Sequence, residues 1–143
     1  MQPRKTLEAA TALIPELERI FHEQQARRGV IERGLEELGV ELGRPSSHLR
    51  VVPEDPPELR RKKRSLTRRI SEYTEAWNQL EALGAVLKDP RLGLVDFYGE
   101  VDGELVWLCW KLGEPEICHY HKLTEGFSSR RPIGADARRK LIN

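Results

Sequence analysis

The chain has 143 residues, with 38% apolar and 33% charged side chains and a formal net charge of +1 at pH 7. The length suits one domain of ordinary size, and the high charged fraction suits a helix-rich protein with thin cores better than a compact sandwich. The balanced charge gives no global sign of a nucleic-acid or membrane partner, and no apolar run approaches the roughly 20 residues that a membrane helix needs.

The opening segment MQPRKTLEAATALIPELE is charged and has no secretory apolar core. The expectation is a cytoplasmic protein whose two cysteines, Cys109 and Cys118, stay reduced. Thr6 is placed as an N-cap, with Glu8 near the positive end of the helix dipole. A first helical arm is predicted over residues 6–42. Its apolar residues Ala10, Ile14, Leu17, Phe21, Ile31, Leu35, Leu38 and Leu42 recur at spacings of three and four, with polar Gln24 and Arg28 in the middle of the seam. Pro15 is expected to kink or restart this helix, because it removes a hydrogen bond and crowds the carbonyl four residues back.

Residues 43–57 contain four prolines and read as a linker. A second arm is predicted over 58–84, where Leu59, Leu66, Ile70, Tyr73, Trp77 and Leu80 keep the same rhythm around Lys63, and Gly84 marks the stop. The two stripes are natural partners in an antiparallel, coiled-coil-like hairpin.

From residue 93 the apolar period becomes two. LVDFYGEV, ELVWLCWKL and EICHYHKL read as three strands of a β-unit over 93–133, followed by a basic tail over 134–143. Asp102-Gly103 signals a tight hairpin. Pairing Val101 with Glu104 and Leu112 with Ile117 sets Asp96 opposite Cys109. It sets His119 opposite Trp110 and His121 opposite Leu108 on the apolar face, and leaves Tyr98, Trp107 and Tyr120 on a wet face. The predicted fold is α+β, one domain made of a long antiparallel helical hairpin with a small three-stranded antiparallel sheet at its C-terminal end.

The segment EICHYH (116–121) carries the densest chemistry. His119 and His121, two apart on one strand, point the same way and with Glu114 form a candidate ligand set for a transition metal such as zinc. The plainer reading is two half-buried imidazoles, each bonded to a carboxylate or a backbone carbonyl. Cys109, on the opposite face by this register, is disfavoured as a partner of either histidine. The run Arg60, Arg61, Lys62, Lys63 and Arg64, with Arg68 and Arg69, places seven basic residues in ten. It reads as a solvated face balanced by the glutamates of the first arm; no base-reading motif accompanies it, so nucleic acid is not the expected partner.

The segments TLEAATALIPELERI and LGLVDFYGEVDGELVWLCWKLGEPEICHYHKLTEGFSSRRPI resemble the two signature regions of an uncharacterised bacterial family, domain of unknown function 2203. The matching positions are Asp96, Phe97, Cys109, Trp110, Gly113, Glu114, His121, Gly126, Phe127 and Arg130. The chain departs from the pattern at His119, Thr124 and Ser129, where the family has an aromatic residue, aspartate and glycine. The resemblance therefore implies a ligand or structural site at Asp96, Cys109, Trp110, Glu114, His121 and Arg130, with His121 tied to the Glu114 turn, and no particular reaction. The expected role is a non-catalytic cytoplasmic interaction or scaffold module with a protein partner or a second copy of itself. A metal-binding protein is the alternative, and a small enzyme using Asp96, Glu114, His121, Cys109 or Arg130 is a second one.

Overall fold

The computed structural model describes residues 4–42 and 49–134. The expected linker therefore lies partly, and the basic tail almost wholly, outside the described residues. The chain divides into two compact units, residues 22–78 and residues 1–21 with 79–143.

In the helical unit, most of α2 (Ile14–Leu42) packs along α3 (Pro57–Ala76). Pro57 opens α3 at a position whose N–H has no helical partner in any case. Leu38, Leu59 and Leu66 form the apolar centre, with Leu35 and Leu49 against it. Gly34 lets the helices close up, since a Cβ there would lie 2.4 Å from Leu66 Cδ2. Of the polar seam residues, Gln24 and Lys63 are satisfied internally rather than solvated. Buried Gln24 donates to the Tyr73 carbonyl at 2.8 Å. Buried Lys63 donates to Asp55 Oδ2 at 2.9 Å and to the Arg50 carbonyl at 3.1 Å, fastening the segment that leads into α3.

The second unit holds α1 (Leu7–Thr11), the first turns of α2, all but the first residue of α4 (Asn78–Ala82) and a sheet. Thr6 Oγ1 caps α1 by accepting from the Ala9 N–H at 3.0 Å, and the break before Pro15 restarts the helix as α2. The sheet strands are β1 (Val86–Asp89), β2 (Leu94–Val101), β3 (Glu104–Lys111), β4 (His119–Lys122) and β5 (Arg131–Pro132), antiparallel and in sequence order. The β2–β3 turn uses Asp102 and Gly103 at φ 53° and 79°, the left-handed pair that matches strand twist. Val95, Phe97, Val106, Leu108 and Trp110 share one buried face, and Phe21 tilts against Trp110 with ring centres 6.1 Å apart.

The predicted architecture is corrected in three respects. The sheet has five strands, not three; β1 and β5 are four and two residues long, too short for a periodicity to show. The second helical arm is not continuous but breaks between α3 and α4, whereas the interruption expected at Pro15 is present between α1 and α2. Finally, β4 pairs with β3 one residue away from the predicted register, with Cys109 opposite His119 and Trp107 opposite His121. One residue of slip moves every β4 side chain to the other face. His119 and His121 therefore share a face with Asp96, Trp107 and Cys109, while Tyr120 lies on the face of Leu108.

The face expected to be wet is buried at its centre. Trp107 is buried, stacked on Tyr98 at 4.1 Å and capped by Lys88 Nζ 4.3 Å from its ring centre. Among the described residues no helix is long and apolar enough to cross a membrane.

Candidate functional site

The slip in register has a local cause. Residues 112–118 leave β3 as a loop rather than a tight turn, with Gly113 at φ 103°. Glu114 holds this loop closed. Its Oε1 accepts from the Lys111 N–H at 2.7 Å, and its own carbonyl accepts from Trp110 Nε1 at 2.9 Å. Pairing resumes only at His119.

The consequence is a buried polar centre where β2, β3 and β4 run side by side. Asp96 comes from β2, Cys109 from β3 and His121 from β4, each 1–2% exposed. His121 Nε2 lies 3.0 Å from Asp96 Oδ2, and Nδ1 lies 3.0 Å from the Lys122 carbonyl. The Cys109 thiol also donates to Asp96. Burial pushes the Asp96 carboxyl up, against the charges of His121 and Lys88 and the hydrogen bonds it accepts. The Cys109 thiol is pushed up to about 12, first by burial and then by the Asp96 charge, with Arg130 opposing.

A second layer adjoins this centre. The turn Phe127–Ser129 and the residue after it bring Arg130 over the sheet. Its guanidinium donates to both Glu114 oxygens at 3.0 and 2.9 Å, stacks 4.4 Å from the Phe127 ring centre and reaches 4.0 Å from Cys109 Sγ. Burial draws the Glu114 carboxyl up. The Arg130 and Lys111 hydrogen bonds and the Arg130 and His119 charges outweigh it and hold the carboxyl below the usual range.

Five of the six residues of the implied site, Asp96, Cys109, Glu114, His121 and Arg130, thus fall into one hydrogen-bonded cluster. Trp110 lies on the other face of the sheet and joins only through its indole N–H. The proposed ligand trio His121, His119 and Glu114 is not assembled. The carboxylate partner of His121 is Asp96, whereas Glu114 faces Arg130 and lies 3.6 Å from His119 Nδ1, a buried nitrogen with no hydrogen-bond partner. A shared Cys–His environment, disfavoured by the predicted register, is what the true register creates: among the described residues Asp96, Cys109 and His121 form a group whose ligand atoms lie within 4.8 Å of one another.

The basic run divides. Lys63 is internal, and Arg60 turns to the Pro53 and Asp55 carbonyls at 3.5 and 3.3 Å. The Val52 N–H and Lys63 hold the Asp55 carboxyl below its ordinary value. Arg61 pairs with Glu58, and Arg64 is exposed. Lys62 borders a hollow of about 290 Å³ between α2 and α3, lined also by Val30, Arg33, Gly34, Leu38, Leu66 and Arg69 among others. A second hollow of about 200 Å³ shares Val30 and Arg69 with it and continues to Ala26 and Arg27. Sequence reading missed this groove because Arg33 and Arg69 are distant in the chain.

No curated protein and no solved structure matches the chain. A family described as an uncharacterised conserved protein, domain of unknown function 2203, matches residues 5–133, and the chain belongs to that family.

Proposed function

We propose that the protein is a non-catalytic interaction module whose helical unit binds an acidic, amphipathic segment of a partner protein. The observation that carries this is the groove along α2 from Ala26 to Leu38, about 18 Å at 1.5 Å per residue, long enough for some three turns of a helix. Its floor is apolar, with Val30, Leu38 and Leu66, and its rim carries Arg33 and Arg69, which have no hydrogen-bond or ion-pair partner among the described residues. Free guanidinium forks above an apolar floor suit carboxylates on one face of a helix and aliphatic side chains on the other. Glu37 and Glu72 also line the groove, so it suits a segment whose few carboxylates fall opposite Arg33 and Arg69 rather than the unbroken charge of a phosphate backbone.

The buried centre supports the non-catalytic part. Asp96, Cys109 and His121 are each only 1–2% exposed, which keeps a substrate from the imidazole, and without a bound cation the Cys109 thiol is far from the thiolate range that a nucleophile needs. Both cysteines are free thiols, which suits a reducing compartment such as the cytoplasm.

The test is fluorescence anisotropy with a labelled helical peptide carrying glutamates on one face and leucines on the other. The peptide is expected to bind, and Arg33→Glu combined with Arg69→Glu to weaken it about tenfold or more. Equal affinity for the double variant would overturn the reading, as would tighter binding of a DNA duplex. A concentration-dependent dimer in light scattering, lost in the same variant, would replace the partner with a second copy of this chain.

A further inference from the structure

We infer that Asp96, Cys109 and His121 form a binding site for one divalent transition-metal ion, zinc or a close relative. The His121 ring carries the argument. The Lys122 backbone carbonyl beside Nδ1 can only accept, so Nδ1 bears a hydrogen. A neutral ring then presents a lone pair at Nε2, 3.0 Å from Asp96 Oδ2. Two acceptors do not attract, so a cation stands between them, either a proton or a metal ion. The Nδ1–H to carbonyl bond is also the contact that fixes the orientation of a metal-ligating histidine.

Cys109 supplies the third donor, all three ligand atoms lying within 4.8 Å of one another. Around a tetrahedral zinc with bonds of about 2.0–2.3 Å, ligand atoms sit about 3.3–3.7 Å apart, so assembly asks for side-chain shifts of about 1 Å. The fourth position is left for water.

The charge balance selects a dication. One proton shared by Asp96 and His121 and one on the Cys109 sulfur leave the metal-free centre neutral. A divalent ion that displaces both protons to solvent meets one carboxylate and one thiolate, and the centre is neutral again. A trivalent ion would strand a buried net charge, and a monovalent ion would displace only one proton and leave one donor protonated and unavailable as a ligand. The nitrogen, oxygen and sulfur donors favour zinc, cobalt or ferrous iron over magnesium or calcium. Arg130, 4.0 Å from Sγ and itself neutralised by Glu114, is placed to steady the thiolate from outside the coordination shell.

The experiment is elemental analysis of protein purified without chelator, followed by cobalt(II) exchange monitored by absorption. The expected result is one metal ion per chain and a thiolate-to-cobalt charge-transfer band that Cys109→Ser removes. Asp96→Asn separates ligation from folding. Its amide nitrogen can donate to Nε2 and its oxygen can accept from the thiol, so it is expected to melt near the parent while metal affinity falls about 10- to 100-fold. Protein that is metal-free and shows no charge-transfer band with cobalt overturns the site. So does a band that survives Cys109→Ser, or unchanged affinity in a folded Asp96→Asn. Should Asp96→Asn fail to fold, the parent spectrum and Cys109→Ser decide alone.

Discussion

Glu114 illustrates how much a single side chain fixes here. One carboxylate closes the β3–β4 loop on the Lys111 N–H and takes both arms of Arg130. Charge-assisted bidentate pairs in partly buried settings are the strong members of their class. Glu114→Gln keeps the shape and loses the charge, and is expected to destabilise the fold by about 2 kcal/mol at neutral pH. The pH dependence has a definite sign. The folded carboxyl lies below its ordinary value, so its stabilisation is complete above the unfolded pKa of about 4.3 and is lost as pH falls through the lower folded value. Urea melts of parent and variant should therefore differ at pH 7 and differ less at pH 3. A gap of equal size at both would mean that charge is not what Glu114 contributes. The polar residues of this cluster were legible as candidates, and the Asp96–Cys109 pairing followed from the Asp102-Gly103 turn. Which carboxylate meets which histidine was not, because that depends on register and not on spacing along the strand.

At the scale of elements, the hairpin with a two-residue turn could be aligned from sequence, whereas the one with a seven-residue loop could not. In the first, Asp102-Gly103 fixes the register by itself. In the second, alternation along EICHYHKL fits either register, since each face of β4 meets buried residues: Leu108 on one side, Asp96, Trp107 and Cys109 on the other. The tie is broken by Trp110 and Glu114, whose hydrogen bonds to the loop no periodicity reveals. The strands β1 and β5 escaped for a different reason: they are short edge strands, and β5 contains Pro132, which is tolerated only at an edge. The loop geometry makes a prediction of its own. Gly113 has φ 103° and open space where a Cβ would stand. Gly113→Ala should therefore cost about 1 kcal/mol through backbone strain alone, with no steric clash. Thermal melting measures it; a cost several times larger would point to a contact that the backbone argument omits.

Across the whole molecule, the near-neutral total conceals a segregation of charge. α3 holds seven lysines and arginines against three glutamates, a net of +4, while the whole chain sums to +1. Composition alone therefore argued against a charged partner, and only the packing of α2 on α3 shows Arg33 and Arg69 at one groove. Exposed charges of this kind act within a Debye length, about 10 Å at 0.1 M salt and about 3 Å at 1 M. Ionic strength should then act on binding and hardly on folding. The apolar centre of Leu38, Leu59 and Leu66 is insensitive to screening, and the Lys63–Asp55 pair beside it is sheltered from solvent. Raising salt from about 0.05 to 0.5 M is expected to weaken the acidic-peptide complex by roughly tenfold or more while the melting temperature moves little. In Arg33→Gln combined with Arg69→Gln, the residual binding should lose most of that salt dependence, because what remains is contact with the apolar floor. Anisotropy titrations of both proteins across the salt series measure the two slopes. Parallel slopes would show that the attraction comes from charges elsewhere on the surface and not from the two arginines of the groove.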